Sequence, residues 1–405
     1  MIEGESIIYF GPEPWDGLWR NRHQLMRVFA RKNKVLYVEP RPFLRHSLRG
    51  DRRHRGQKGP LAREVLPNLW VLRSPMFTAR SGSRPVNAVT QGLFCHLVRR
   101  QLRLRGMSRP IIWLSRPVLE EVLGVFDEKL AIYHAVDEYS AYGVKTPGQK
   151  ERILNLEKRL LEKADMAVVV SRRLLETKRP LNERTFLIPN GVDFSLFEDP
   201  AGNHDGEDPT PPEDIAGLPT PRVGYSGLIG ERLDLQLLTH LARRQPTTSF
   251  VFIGAVVETG CAEQLAALKA LPNVHFLGRK PVEQVPVYLR ALDVCLIPYR
   301  PGEEARNIDP LKLYDYLACA RPVVSVDFPA VEPFADVVEV ATGEDAFIAA
   351  VETALTDDGN RRKRRLELAR ANTWEARVEQ LSEHIEETLA LKDKQLAAVR
   401  STGRA

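Results

Sequence analysis

The chain has 405 residues, four cysteines, a formal net charge of +5 and 43% hydrophobic residues, and this length predicts two hydrophobic cores rather than one. No apolar run reaches the roughly 18 residues of a membrane-spanning helix, and the acidic first residues lack the apolar stretch of a signal peptide. The scattered cysteines show neither metal-ligand spacing nor a disulfide pattern, so we expect a cytoplasmic protein without a bound metal ion.

The positive charge is concentrated in the first half of the chain. Residues 1–190 have a net charge of +16 and residues 191–405 a net charge of −11, and residues 41–109 contain sixteen basic and two acidic residues. This excess indicates an anionic partner, although it could also be a solvated face. We expect no nucleic acid, because no helix-turn-helix, zinc or aromatic RNA-binding signature accompanies the charge. Acidic lipid headgroups or a phosphorylated acceptor are the alternatives, and an anionic membrane surface is favoured.

The first half alternates predicted strands and helices, which implies a parallel sheet. Strands are predicted at 6–10, 35–38, 111–114, 130–133 and 166–170. Helices are predicted from Leu18 to Phe29, over 86–105 and over 146–163. Val89, Leu93, Leu97 and Leu104 lie on one side of the second helix, and residues 41–60 form a predicted loop.

The same alternation restarts after a segment rich in Pro, Asp and Gly at 198–221, which indicates a linker or an exposed insertion. Strands are predicted at 222–226, 250–253, 274–277, 294–297 and 322–325, with helices between them. A long terminal helix is predicted from Trp374 to about Val399. The chain therefore predicts two α/β units in tandem, with a last helix that could cross between them.

The most informative segment begins at Asp309, a candidate N-cap, with Pro310 at the first helical position. This helix follows the strand at 294–297, and ligands bind at the carboxyl ends of such strands. Its unpaired N–H groups favour a phosphate. Lys312 adds a positive charge, and Asp315 at i+3 can share its face and bind sugar hydroxyls. The alternatives are a surface ion pair of Lys312 with Asp315, and an Asp309 carboxylate that occupies the same amides.

Gly224, Gly227 and Gly230 follow the first strand of the second unit. Glycine lets a ligand approach the backbone closely, and Arg232 just beyond could meet a diphosphate. The spacing differs from the dinucleotide-binding pattern. A structural turn is therefore as plausible as a ligand loop.

In the first unit, His134 and Asp137 follow a predicted strand and could contact an acceptor hydroxyl. The alternative is a core histidine and a loop carboxylate. Trp15 and Trp19 lie in the first strand-to-helix turn. They suit contacts with a sugar or an isoprenoid, or they pack against the start of the helix.

These motifs resemble the GT-B glycosyltransferases, specifically the glycogen-synthase-like retaining group often called family 4. The chain is most similar to bacterial cell-surface polysaccharide transferases of the teichuronic-acid type. The resemblance covers nearly the whole chain and lies in the order and spacing of several segments. These segments are 162–165 with 169–171, 188–193, 223–227, 273–278 and 310–318.

The resemblance implies an α/β fold of two Rossmann-like domains whose parallel sheets face each other across a cleft. Residues 1–188 would form the acceptor domain, and 222–372 the nucleotide-sugar domain. Residues 189–221 would be the hinge and linker, and 373–405 a helix that returns toward the first domain. A nucleotide-diphosphate sugar would be the co-substrate, with no other cofactor.

The resemblance also implies roles for residues at the donor site. Gly227, Arg232 and Lys312 would face the diphosphate, and stabilisation of developing charge there is usually the largest catalytic contribution. Arg279 and Lys280 would lie near the nucleotide base.

Two glutamates of the family correspond here to Asn307 and Asp315. Asp315 would bind ribose hydroxyls, and Asn307 would contact the donor sugar without a charge. His134 would lie near the reacting sugar, where His134 or Asp137 would orient hydroxyls.

The resemblance implies transfer of a sugar, with retention, to a lipid-linked or polysaccharide acceptor in cell-surface glycan synthesis. The protein would lie peripherally on the inner face of the plasma membrane. A nucleotide-sugar 2-epimerase is one alternative, because it shares the double Rossmann architecture. A non-catalytic GT-B protein that binds glycan or nucleotide sugar is the other.

Overall fold

The computed structural model describes residues 1–17, 19–44, 59–140, 146–198 and 210–402. Leu18, most of the loop predicted at 41–60 and part of the linker predicted at 198–221 lie outside the described residues. The chain divides into two compact units. One contains residues 1–189 with 377–405, and the other contains residues 190–376.

The first unit is built on an eight-stranded sheet. Its strands are β1 (Ser6–Phe10), β2 (Lys34–Val38), β3 (Ala62–Leu66), β4 (Leu69–Leu72), β5 (Ile111–Leu114), β6 (Leu130–Ala135), β7 (Met166–Val169) and β8 (Thr185–Leu187). Their order is β3-β4-β2-β1-β5-β6-β7-β8, and all neighbours are parallel except the β3–β4 hairpin. Consecutive residues of β1 and β5 are buried, so both faces of the sheet are covered, as parallel sheets require.

Four α-helices of the described residues before 189 accompany this sheet. They are α1 (Asn21–Ala30), α2 (Arg84–Leu104), α3 (Pro147–Lys163) and α4 (Arg172–Lys178). The start of α3 follows from its sequence, because the Thr146 side chain accepts a hydrogen bond from the Gln149 N–H and Pro147 occupies the first turn. The helix predicted over 146–163 is therefore confirmed.

The side of α2 that packs on the sheet is not the predicted apolar side. Val89, Leu93 and Leu104 are 64%, 44% and 67% exposed, whereas Leu97 is buried. The buried face instead includes Phe94 and its neighbours. Two apolar stripes with helical spacing run along this helix, and only packing against the sheet decides which one is buried.

The second unit is built on a six-stranded sheet in which all neighbouring strands are parallel. Its strands are β9 (Arg222–Ser226), β10 (Ser249–Ile253), β11 (Val274–Gly278), β12 (Val294–Ile297), β13 (Val323–Val326) and β14 (Val338–Ala341), in the order β11-β10-β9-β12-β13-β14. The helices are α5 (Glu213–Ala216), α6 (Leu235–Arg244), α7 (Ala262–Lys269), α8 (Val285–Arg290), α9 (Glu303–Asn307), α10 (Leu311–Ala318), α11 (Glu344–Leu355) and α12 (Arg362–Ala371).

The described part of the segment predicted as hinge and linker belongs to this unit from residue 190 onward. Val192, Phe194, Phe197 and Ile215 lie in its hydrophobic core. Gly191 runs against the backbone at 372–373, where a Cβ atom would lie 2.8 Å from a carbonyl oxygen. These residues therefore pack as part of the second unit.

The terminal helix, α13 (Trp374–Thr402), begins in the second unit, and its residues from 377 onward belong to the first. There the His384 ring stacks on Phe186 with centroids 3.9 Å apart, and Lys392 pairs with Asp165 at 2.7 Å. In the described residues, no helix is both long enough and apolar enough to cross a membrane.

Candidate functional site

The loops that follow β9, β10 and β12 meet at the carboxyl edge of the second sheet. The Gly227 N–H donates to the Ile253 carbonyl at 2.9 Å, and the Gly254 N–H donates to the Gly278 carbonyl at 2.9 Å. The Arg300 N–H donates to the Arg232 carbonyl at 2.8 Å. The loop glycines and the start of α10 thus share the edge at which parallel sheets bind ligands.

Two glycines allow this close approach. Gly227 has a φ of +140°, and a Cβ atom there would lie 3.1 Å from Lys312 Cε. A Cβ on Gly254, whose φ is +152°, would lie 1.8 Å from the Gly227 carbonyl oxygen. Side chains at either position would push the loops apart, so the glycines place bare backbone beside Lys312.

Lys312, in the first turn of α10, is half-buried between two tyrosines. Its Nζ donates to the Tyr299 hydroxyl at 2.6 Å and lies 4.8 and 4.9 Å from the ring centroids of Tyr225 and Tyr299. Burial by itself would lower the pKa of Lys312, but the two tyrosine side chains hold this pKa above its ordinary value. The site therefore holds a fixed positive charge at neutral pH.

Sequence reasoning missed the two tyrosines. Tyr225 is the penultimate residue of β9, and Tyr299 lies two residues past β12. Their positions at strand ends are a signal that could have identified them, because side chains there border the ligand edge of a parallel sheet.

Asp309 does not cap α10 as predicted. The helix begins at Leu311, and Pro310 is its N-cap. The buried Asp309 carboxylate accepts from the Asn190 backbone N–H and from the Tyr314 hydroxyl at 3.0 Å. The N-cap prediction is wrong because these two groups provide donors that no local pattern reveals.

Asp315 is half-buried one turn after Lys312. Burial raises the pKa of its carboxyl group to about 7, Lys312 opposes this rise, and the Asp193 carboxylate adds to it. Near neutral pH this carboxyl group can therefore both accept and donate a hydrogen bond to a hydroxyl. The Lys312 ammonium, meanwhile, bonds to Tyr299 rather than forming the alternative ion pair with Asp315.

The other residues predicted for the donor have different surroundings. Arg232 is exposed and pairs with Glu304 of α9 at 2.6 Å. Asn307, the last residue of α9, is buried. Arg279 is exposed just past β11. Lys280 is held by Asp214 of α5 at 2.5 Å, so its ammonium is already paired within the protein.

His134 lies near the end of β6 in the first unit and is 2% exposed. Neither of its ring nitrogens has a hydrogen-bond partner in the described residues, and its ring centroid is 5.9 Å from that of Trp113. Burial lowers the pKa of His134 to about 3, so the ring is neutral at physiological pH. A neutral imidazole can orient a hydroxyl but adds no charge.

Asp137 is partly exposed in the loop after β6, next to Glu138. Lys178 of α4 contacts Glu138 and Glu157, each at 2.8 Å, and Glu157 also accepts from the Tyr133 hydroxyl. This buried network fixes the loop that carries Asp137. Sequence reasoning missed it, because a lysine in a short charged helix gives no sign of burial.

The two tryptophans of the first turn have different surroundings. Trp15 is buried, with its ring centroid 5.0 Å from that of Tyr37. Trp19 is 37% exposed and stacks on His23, with centroids 4.7 Å apart. Trp15 therefore packs in the core, whereas Trp19 keeps an aromatic face open to solvent.

Comparison with known proteins identifies the fold. Residues 229–357 match the family model described as Glycosyl transferases group 1. The chain is 25% identical over 294 residues to TuaH of Bacillus subtilis, a protein named as a teichuronic acid biosynthesis glycosyltransferase, covering 68% of this chain and 72% of that protein.

Two solved structures share nearly the whole architecture. Sucrose-phosphate synthase from Thermosynechococcus elongatus has a TM-score of 0.69 at 19% identity and covers 96% of this chain and 100% of that chain. HepE of Anabaena, in complex with UDP and glucose, has a TM-score of 0.66 at 13% identity and covers 95% and 100%. The predicted GT-B architecture of two parallel-sheet units is confirmed, and the match to the group 1 glycosyltransferase model lies within the second unit.

Proposed function

We propose that the protein transfers a sugar from a nucleotide-diphosphate sugar to a lipid-linked or polysaccharide acceptor in cell-surface glycan synthesis. The observation that carries this proposal is the Lys312 ammonium, held at the start of α10 beside the glycine backbone of the β9 loop. HepE, whose fold this chain shares, was solved with UDP and glucose. TuaH supports the assignment to cell-surface glycan synthesis.

The diphosphate of the donor would lie against Gly227 and the first turn of α10. When the glycosidic bond breaks, negative charge develops on the leaving diphosphate, and Lys312 is already positioned to stabilise it. Arg232, at the same sheet edge, would add a second cation by exchanging Glu304 for phosphate. These residues would supply the charge without a metal ion. In the described residues, no group of three or more histidine, cysteine or acidic side chains is placed to hold one.

Asp315 would bind the ribose hydroxyls, since its half-buried carboxyl group lies one turn beyond Lys312. Arg279 would lie by the base, and Asn307 by the donor sugar. The acceptor would bind the first unit, where neutral His134 and Asp137 would orient hydroxyl groups. An acceptor hydroxyl would attack the anomeric carbon with net retention of its configuration, the course implied by the family resemblance.

The basic residues within 41–109 would attract the protein to an anionic membrane, which is the location of a lipid-linked acceptor. Each Lys or Arg near an anionic membrane surface contributes about 1 kcal/mol to the free energy of binding. This attraction would make the protein peripheral on the inner face of the plasma membrane.

The test begins with the melting temperature of the chain in the presence of UDP, GDP, ADP and their sugar conjugates, because a ligand of the folded state raises it. Transfer of labelled sugar from the stabilising donor to extracted membrane lipid is then measured. Lys312→Ala should lose the stabilisation and the transfer. Lys269→Ala is the matched control, since the Lys269 ammonium also lies near an aromatic ring, 5.9 Å from its centroid, but is paired with Glu258 away from the site.

Each alternative function predicts a different result. Stabilisation without transfer or sugar conversion by the wild type would indicate a non-catalytic binding protein. Conversion of the donor sugar to its 2-epimer would indicate the epimerase. Full transfer by Lys312→Ala would remove the assigned role of Lys312.

A further inference from the structure

An exposed apolar surface lies on the first unit. Within residues 43–93, seven large hydrophobic side chains are exposed, nearly half of the fifteen in the described part of the chain. We call them the apolar patch, and they are Phe43, Leu44, Met76, Phe77, Val86, Val89 and Leu93. Phe77 and Val89 are the most exposed, at 56% and 64%. Single exposed apolar residues are ordinary, but such a concentration indicates an interaction surface.

Arg41 holds the three segments of the patch together. Its Nε donates to the Thr78 carbonyl at 2.7 Å, and its guanidinium donates to the Thr90 hydroxyl on α2 at 2.9 Å. The Leu44 N–H donates to the Arg80 carbonyl at 3.0 Å. The patch is therefore one supported surface rather than a set of independent loops.

Most charged residues in the same stretch of the chain are basic, and Glu121 pairs with Arg41 and Arg80 beside the patch. Residues 65–119 contain nine arginines, no lysine and no acidic residue. Along the exposed face of α2, Val86, Val89 and Leu93 are followed by Arg100 and Arg103, both exposed. An apolar stripe that continues into a cationic stripe on one helix is typical of elements that lie in the interface of an anionic membrane.

We infer that the apolar patch inserts into the boundary between headgroups and acyl chains of an anionic bilayer, while the arginines of α2 contact lipid phosphates. The inference rests on the proposed function only in its choice of a membrane as partner. The proposed function includes only electrostatic attraction to the membrane, whereas this inference states which side chains enter the lipid. A symmetric dimer through the same patch would place the arginine-rich faces of two copies together, so like charges oppose that occupant.

Insertion and simple attraction differ in their response to salt. Surface attraction is screened as ionic strength rises, whereas apolar burial is not. The full chain is therefore sedimented with vesicles of phosphatidylcholine containing phosphatidylglycerol, at about 0.1 M and about 0.5 M NaCl. The wild type should keep a substantial bound fraction at the higher salt concentration and should bind phosphatidylcholine alone more weakly.

The decisive variant is Phe77→Ser with Val89→Ser. We expect its partition into the vesicles to fall about 20-fold or more at both salt concentrations, because two exposed apolar side chains lose their burial in lipid. Val340→Ser with Leu391→Ser is the matched control, since these residues are exposed apolar side chains elsewhere. Arg100→Gln with Arg103→Gln should weaken binding mainly at low salt.

A fluorescence measurement tests depth directly. The fluorescence of the tryptophan introduced by Phe77→Trp should be quenched by lipids brominated on the acyl chains. The fluorescence of the tryptophan introduced by Leu391→Trp should not be quenched. Unchanged vesicle binding by Phe77→Ser with Val89→Ser, complete release of the wild type by salt, or a wild-type dimer that only these two substitutions dissociate would each overturn insertion. Nucleoside diphosphate binding is measured on the same proteins. Its failure would count against the proposed function and not against insertion.

Discussion

The Lys312 ammonium donates to the Tyr299 hydroxyl at 2.6 Å and also lies 4.9 Å from the centroid of the same ring. Tyr299 thus contacts the cation at the hydroxyl end of its ring, through an oxygen lone pair. No described residue accepts the hydroxyl proton of Tyr299, which leaves that proton able to meet a phosphate oxygen. Lys312 and Tyr299 would together form a donor pair for the diphosphate of the proposed sugar donor.

Tyr299→Phe should weaken nucleoside diphosphate binding about 5- to 10-fold, because it removes one hydrogen bond to a charged partner while keeping the ring. Isothermal titration with the stabilising diphosphate measures the change in Kd. Tyr37→Phe is the control, since the Tyr37 hydroxyl donates to a backbone carbonyl at 2.6 Å in the first unit. An unchanged Kd for Tyr299→Phe would show that its hydroxyl does not contact the ligand.

Asp315 should make stability depend on pH. Its folded-state pKa of about 7 is above the ordinary value of 3.8, so the folded protein binds this proton more tightly than the unfolded chain does. The resulting stabilisation is complete below about pH 4 and is lost as the pH rises through 7. The melting temperature of Asp315→Asn minus that of the wild type should therefore rise between pH 4 and pH 7 and change little above pH 7. A constant difference across this range would contradict the raised pKa.

The ligand role of Asp315 has a separate readout. If its carboxyl group binds ribose hydroxyls, Asp315→Asn should weaken a nucleoside diphosphate about tenfold and leave inorganic pyrophosphate unaffected. Titration calorimetry with both ligands makes the comparison on one protein. Equal losses for the two ligands would instead indicate a general disturbance of the diphosphate site.

Asp309→Ala should destabilise the second unit by about 2–4 kcal/mol, because it leaves the buried Asn190 N–H and Tyr314 hydroxyl without their acceptor. Urea unfolding followed by circular dichroism measures the loss. Asp336→Ala is the control, since its ion pair with Arg364 is half-exposed and such pairs contribute about 0–1 kcal/mol. Similar losses for the two variants would refute a structural role for Asp309.

Lys178→Met should destabilise the first unit by about 3–5 kcal/mol, because it leaves the buried Glu157 carboxylate and the partly buried Glu138 carboxylate without their cation. Adding Glu157→Gln to this variant should recover part of the loss by removing one buried charge. The free energy of unfolding is compared with that of Lys163→Ala, since the Lys163 ammonium is exposed in its ion pair with Glu120. A loss for Lys178→Met no larger than the control would show that the network contributes little.

Hydrophobic runs and local helix signals determined much of the architecture. The strand predicted at 222–226 is β9, and the helix predicted over 146–163 begins where Thr146 and Pro147 indicate. Strands buried on both faces and N-capped helices depend on neighbouring residues, so their signals can be read along the chain. The position of Lys312 at the start of a helix after β12 could be inferred in the same way.

The tertiary structure alone decided which side of α2 is buried, what surrounds Lys312 and what Asp309 binds. Val89 is exposed because the sheet packs against the other apolar stripe. Asp309 bonds to Asn190, which is 119 residues away in sequence. Burial and partner choice depend on groups brought together from distant parts of the chain. A local sequence pattern can therefore identify a candidate site residue. Only the fold determines which groups contact that residue and how strongly they stabilise its charged form.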